Sequence, residues 1–405
     1  MGRVLEHDSK QILKKHGIPA PENRVALTHK EAGAIMEELG NKVVLKALIP
    51  VGKRGKNGAI QFASTRAEAE EKTRQLLEMT VRSFPVERVL VEQCLDIAEE
   101  WYVSITLDTQ KQLPVIIAAT EGGVEVEDLV RNSPEKVKIA HVDPFVGLQP
   151  FQAKEIWSDL GLTGKALVQA ASILTKLYRV FVQYDCYILE INPLVLTRSG
   201  EVVAAASVMG IDDAALYRQP ELKGIVEVGS ERSWRPMTEL EKRMIEINDA
   251  DYRGTARYTE MDGGNIGFMC GGGGGSLLCY DALLKLQAAP ANYSETGGNP
   301  PVEKVYGLTK GILSKPGVQG LFVAHNITNN TQIDVMAAGI VQAIRELGLD
   351  PRKFPIVVRE AGVNDAEGRR IFESAGVTYL GEEVTIEEAA AIMVERMKET
   401  YSWQF

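Results

Sequence analysis

No block of basic residues interrupts this chain of 405, and its 45 Lys and Arg stand against 55 Asp and Glu, a net charge of −10. That balance argues against a nucleic-acid surface. Long apolar runs are missing as well, and nothing approaches the ~20 residues that a membrane-spanning helix needs. The start, MGRVLEHDSK, carries charges where a secretory signal has its apolar core, and Glu6 stands where a myristoylation motif wants Ser or Thr. Cysteine is scarce: Cys94, Cys186, Cys270 and Cys279 lack CxxC spacing, which argues against a zinc site and suits a reducing cytoplasm. The two standard nucleotide loops are also absent. In CGGGGGSLL at 270–278 no lysine follows the glycines as GxxxxGK[ST] requires, and Ser276 stands where GxGxxG needs its last glycine.

What is present is an alternation of helical and strand patterns long enough for two or three domains. DSKQILKKHGIPAP reads as a helix stopped by Gly17 and Pro19, and KVVLKALI as a buried strand. After it, PVGKRGKNGAIQF is a basic loop that sets Lys53, Arg54 and Lys56 among Gly52, Gly55 and Gly58. Such a loop either cradles a phosphate tail or is a solvated hairpin. RVLVEQCL, EWYVSITLD, LPVIIAAT and CYILEINPLVL read as strands around a helical stretch at 152–184, an α+β arrangement. Residues 218–243 are polar without a sustained apolar period and read as a linker. Beyond it NIGFMC, VQGLFVAH, FPIVVRE and GVTYLG alternate with helical segments, the pattern of a parallel doubly wound sheet.

The five glycines then form the first strand-to-helix turn of that sheet. Free amides at a helix N-terminus suit a phosphate or carboxylate, while close helix–strand packing explains the glycines equally well. HNITNNTQID at 325–334 and Arg359 lie at two further strand ends, and the carboxyl ends of parallel strands share one ligand crevice. In the earlier half, Glu190 and Asn192 are two apart on a strand, so both point to one face, either a metal and phosphoryl site or a polar sheet face.

KRGKNG, DIAEEWY, ATEGGVEVEDL, LEINPLV, ALYRQPEL and MDGGNIGFM occur in the order found in the β subunits of ADP-forming succinate–CoA ligases. The chain resembles that family over nearly its whole length, and also the matching part of ATP-citrate lyase and citryl-CoA synthetase. The resemblance implies an α/β protein with an ATP-grasp unit, its main subdomain at 1–20 and 95–230 and its lid at 21–94, followed by a flavodoxin-like domain at 244–401. It implies that ATP or GTP phosphorylates a histidine of a partner α subunit, that the phosphate passes to a carboxylate, and that coenzyme A, bound mostly by the partner, displaces it in the cytoplasm. None of the five histidines here matches the phosphohistidine motif.

Carried over by position, Lys46, Arg54 and Gly55 would touch phosphates, Glu92, Leu95 and Glu100 the adenosine, Asn192 a magnesium ion, and Glu190 the incoming phosphohistidine. Gly274, Gly275, Ser276, Asn326, Asn329, Asn330, Thr331 and Arg359 would face the acid and its phosphate. Two departures stand out. Ala206 replaces the family's second magnesium ligand, an aspartate, and Val208 replaces a nearby lysine. Asp212 and Asp213 are the carboxylates close enough in sequence to fill that gap. The departures leave room for two other readings, a non-catalytic subunit and an acyl-CoA transferase that has dropped ATP. At 326–333 the chain lacks the glycine pair, arginine and cysteine of succinate ligases and is closer to the citrate-cleaving relatives, which implies a hydroxylated or polycarboxylic acid. Capping of the next helix is the alternative role for Asn326 and Asn329.

Overall fold

The structure, a computed structural model, describes residues 2–401 apart from 41, 52–53, 124–125 and 228–234. Contacts divide the chain into two units with the break between Pro236 and Met237. Among the described residues no helix is long and apolar enough to cross a membrane.

Among the described residues the first unit holds two larger antiparallel sheets and a two-stranded pairing of Thr80–Val81 with Phe84–Pro85. The smaller of the two sheets has the order 23–26, 89–93, 43–47, 60–63. Helices His29–Leu39 and Arg66–Leu77 cover it, each started by a threonine, Thr28 or Thr65, whose hydroxyl accepts from a backbone N–H three residues on. Val43, Leu45 and Ala47 enter the core beneath these helices, as do Val89 and Val91 from the neighbouring strand. A strand alternates its side chains, so Lys46 and Glu92 are sent together to the opposite face.

The larger sheet has eight strands, with the order 137–141, 113–119, 97–108, 186–197, 207–211, 2–4, 226–227 and with 202–204 added to 186–197. The expected helix at 152–184 is two helices, Pro150–Asp159 and Gly164–Gln183, divided where Gly161 takes a φ of 90°. They bury Trp157, Leu174, Leu177 and Phe181 against Trp101, Val103, Leu189 and Ile191 of the sheet.

The linker is shorter than its polarity suggested. Leu222 belongs to the core of the first unit, and Val226–Glu227 pairs with Arg3 and Val4. The helix Glu239–Asp249 already starts at Thr238, with a reciprocal capping box between Thr238 and Glu241.

Among the described residues the second unit carries six strands, where apolar runs pointed to four. Thr255–Glu260 and Asn292–Gly297 hold few apolar residues, Ala256, Tyr258 and Tyr293, so a search for continuous apolar runs passes over them. Five strands are parallel in the order 292–297, 266–271, 320–328, 356–362, 378–380, and 255–260 lies antiparallel at the edge. This is the flavodoxin-like 2-1-3-4-5 order, and its direction reverses between 266–271 and 320–328. Helices cover both faces, with Val305, Leu308, Ile340 and Ile344 on one and Cys279, Leu283, Met393 and Met397 on the other.

Candidate functional site

In the first unit the expected nucleotide residues line a single cavity of about 740 Å³: Lys46, Arg54, Gly55, Glu92, Leu95, Glu100, Glu190 and Asn192, with Ala206 and Val208. Lys53 and Gly52 of the basic loop lie outside the described residues.

One wall of the cavity is a buried charge cluster. Lys46 Nζ lies 2.9 Å from Glu6 Oε1 and 2.8 Å from Glu92 Oε1, and it donates to the Ala205 carbonyl at 2.9 Å. Arg54 pairs with the other oxygen of Glu6. Behind them Lys10, fully buried, sits 2.7 Å from Glu6 Oε1, pairs with Glu92 and donates to the Ala205 carbonyl at 2.7 Å. Burial alone would raise the Glu6 carboxyl, but Arg54, Lys10 and Lys46 outweigh it and hold it well below the usual carboxylate range. Burial pulls the Lys10 ammonium down. At Lys46 burial pulls the same way, yet Glu6 and Glu92 outweigh it and the ammonium is raised.

Sequence reasoning missed Glu6 and Lys10. Both lie on the helix Glu6–Lys15, four residues apart and so on one face, and that face is buried. The available signal was a charged i, i+4 pair beside the apolar positions Ile12 and Leu13. The cluster also includes Glu92, which lines the cavity. Expected at the adenosine, it is 2 % exposed and both its carboxylate oxygens are taken by lysines.

The floor follows from strand alternation. Tyr102, Ser104 and Thr106 from one strand and Ile188, Glu190 and Asn192 from the next all face the cavity. Glu190 stands in register with Ser104 on one side and Val208 on the other. Its Oε2 accepts from the Tyr102 hydroxyl at 3.3 Å, and Asn192 Oδ1 accepts from the Gly123 amide at 2.7 Å.

Ala206 offers no side-chain oxygen, and the structure does not replace it from Asp212 or Asp213. The strand Ser207–Ile211 separates them from Ala206 by about 20 Å at ~3.3 Å per residue. Asp212 instead caps the turn Asp213–Arg218 by accepting from Ala214 N. Among the described residues no three His, Cys, Asp or Glu gather as a metal site. Asn192, expected to hold magnesium, lines the cavity, and magnesium usually keeps several waters and the phosphates of its nucleotide beside few protein oxygens.

In the second unit the glycine turn and the asparagine turn meet at the reversal point of the sheet. The helix Gly274–Lys285 begins after Gly273, whose φ of 91° only glycine adopts without strain. A Cβ on Gly275 would lie 2.4 Å from Asn326 Nδ2, and one on Gly271 would lie 2.8 Å from His325 Cδ2. Close packing therefore accounts for Gly271 and Gly275, whereas Gly274 has open space.

Asn326, Asn329 and Asn330 are exposed. None of them caps the helix Ile333–Glu346, which has Gln332 at its N-cap without a side-chain bond, so helix capping does not explain them. Arg359, 8 % exposed, is anchored by two carbonyls, with Nε on Val384 at 2.9 Å and Nη1 on His325 at 2.6 Å. Thr331 is buried.

Ser276 is a correction. It is fully buried, and its hydroxyl is held by Tyr293 and by Glu295 Oε1, the latter at 2.8 Å, so it faces the strand Asn292–Gly297 and not the crevice. His325 is structural: 3 % exposed, its Nδ1 lies 2.9 Å from Glu360 Oε1 and its Nε2 3.1 Å from Thr296 Oγ1.

A charged, polar cavity in an antiparallel α/β unit is joined in this chain to a parallel-strand crevice. A family model described as an ATP-grasp domain matches residues 3–196, and one described as ATP citrate lyase citrate-binding matches 235–396. A GDP-forming succinate–CoA ligase β subunit from Thermus thermophilus is 36 % identical over 390 residues, 96 % of this chain and 98 % of the relative. An ADP-forming one from Aquifex aeolicus is 35 % identical over 386 residues, 93 % and 94 % of the two chains. The chain belongs to the succinate–CoA ligase β-subunit family. Its fold is shared with ATP citrate lyase from Methanothrix soehngenii, solved with citrate and coenzyme A, at a TM-score of 0.79 and 22 % identity over 98 % of this chain and 100 % of that one.

Proposed function

We propose that this chain is the β subunit of a cytoplasmic, nucleotide-dependent acid–CoA ligase. The observation that carries this reading is the gathering of Lys46, Arg54, Gly55, Leu95, Glu100, Glu190 and Asn192 on one cavity. Lys46 and Arg54 attract the phosphates of ATP or GTP, Gly55 lets the backbone approach them, and Leu95 and Glu100 take the nucleoside. Residues 1–20 and 95–230 act as the main subdomain and 21–94 as the lid. Magnesium, when bound, would neutralise charge on the phosphate oxygens, with Asn192 as its protein-side oxygen.

Among the described residues no histidine lines the cavity. The phosphoryl acceptor is therefore assigned to an α-like partner, and Glu190, on the floor, orients that partner's imidazole. The acyl phosphate then forms at the crevice of the second unit, where Gly274, Gly275 and the exposed amides of Asn326, Asn329 and Asn330 face the acid and Arg359 supplies charge. Coenzyme A, held mostly by the partner, takes the acyl group.

The named relatives are succinate ligases. A second reading, in which the acid is hydroxylated or tricarboxylic, rests on the three exposed asparagines and on the citrate-binding description of residues 235–396. A site built around hydroxyl partners rejects an acid lacking the hydroxyl by up to ~10⁴. Ala206 and Val208 keep the non-catalytic and transferase alternatives testable. The experiment is acyl-CoA formation by this chain mixed with an α-like chain, with ATP and GTP, over a panel containing succinate, malate and citrate. Turnover that needs both chains and a nucleotide supports the ligase. Turnover by one chain alone, or acyl exchange without nucleotide, overturns it.

A further inference from the structure

Lys10 contributes to the cavity without lining it. It is fully buried, no part of it borders the cavity, and its ammonium is spent on Glu6, Glu92 and the Ala205 carbonyl. Lys46 and Arg54 do border the cavity, and their partners are the same two carboxylates. Without Lys10 the wall would hold two cations and two carboxylates and be neutral. With it, three cations face two carboxylates and one net positive charge remains.

A lysine with no access to solvent is costly to bury, and two carboxylates are what offset that cost here. The arrangement occupies the negative charge from behind and leaves positive charge in front. Glu6 and Glu92 hold Lys46 and Arg54 in place, and Lys10 keeps those carboxylates from cancelling them.

We infer that Lys10 is a positioning and charge-setting residue that makes this wall selective for polyphosphates, so that affinity rises with the number of phosphates on the ligand. The inference rests on the nucleotide reading of the cavity. Arg3, Glu100 and Glu190 line the same cavity and are unchanged in the comparisons that follow. At an effective dielectric constant of ~20, one unit charge ~10 Å away changes the binding of another by on the order of tenfold.

The experiment titrates adenosine, ADP, ATP and tripolyphosphate into the full chain, as the complex it purifies in, with EDTA present. The variants are Lys10→Met (cluster neutral), Glu6→Gln (two net positive charges) and Lys10→Met/Glu6→Gln (one net positive charge restored). The preference for ADP over adenosine falls about tenfold in Lys10→Met. It returns towards wild type in the double variant and rises above wild type in Glu6→Gln. ATP and tripolyphosphate follow the same order with a steeper change.

A merely structural lysine would lower adenosine and ADP binding equally, and that result overturns the inference. So does a double variant no better than Lys10→Met. If Lys10→Met does not fold, the order of Glu6→Gln, wild type and double variant still decides. Wild-type protein that binds tripolyphosphate but shows no added affinity for ADP sinks the nucleotide reading and leaves the charge inference standing. Wild-type protein that binds neither overturns both.

Discussion

The two proposed anion sites of this chain are built from opposite materials. In the first unit positive charge is concentrated on Lys46 and Arg54 and held by buried carboxylates. In the second, the crevice is made of backbone amides, exposed asparagines and a single arginine anchored on carbonyls. The difference fits the ligands proposed. A polyphosphate carries several charges that must be met by charge and held still. A carboxylic acid that has to be phosphorylated and then released is better met by neutral donors, with one arginine to fix its direction. Buried charges also fail differently from amides, because removing one partner strands the others.

The comparison is broken most severely at Lys46. Lys46→Met leaves Glu92 and Glu6 each short of a partner, and we expect nucleotide-dependent turnover to fall by about 10²–10³-fold. Thermal stability of the first unit falls with it, measured by calorimetry beside steady-state kinetics. At Arg359 the loss should be confined to the acid. Arg359→Ala removes one charged donor and is expected to raise KM for the acid by about 10–100-fold, with nucleotide affinity unchanged in a direct titration.

A finer contrast lies within the glycine turn. Gly275→Ala places a methyl group 2.4 Å from Asn326 Nδ2, and Gly274→Ala meets nothing within 4 Å. The first should weaken acid binding by roughly tenfold through displacement of Asn326. The second should be neutral or slightly stabilising, because alanine is the better helix former by ~1 kcal/mol. Equal effects would show that the turn is not packed on the asparagine. The smallest effect is expected at Ala206. Ala206→Asp adds an oxygen beside Asn192 and should raise ADP formation a few-fold at low magnesium and little at saturation. No change across the magnesium range would show that the ion needs nothing at that position.

Sequence reasoning recovered the polar residues whose spacing is tied to a strand. Glu190 and Asn192 share a face because strands alternate, and Lys46 is marked by the buried strand that carries it. Glu6 and Lys10 were hidden for the converse reason. A charged residue on an amphipathic helix reads as solvent-facing, and only the partners Lys46, Arg54 and Glu92, brought from distant elements, show that this face is buried. Ser276 was misplaced because the third residue of a helix faces either the crevice or the sheet according to helix rotation, which Tyr293 and Glu295 settle. The strands Thr255–Glu260 and Asn292–Gly297 escaped notice since edge and near-edge strands need no continuous apolar run.

The central claim is that this chain holds a nucleoside triphosphate and passes its terminal phosphate to a histidine it does not itself supply. The most direct measurement incubates the chain with an α-like subunit and γ-labelled ATP or GTP, then separates the two polypeptides. The account predicts acid-labile label on the partner, absent when this chain is omitted and strongly reduced in Lys46→Met. Label retained on this chain, or partner labelling that proceeds without it, would contradict the account.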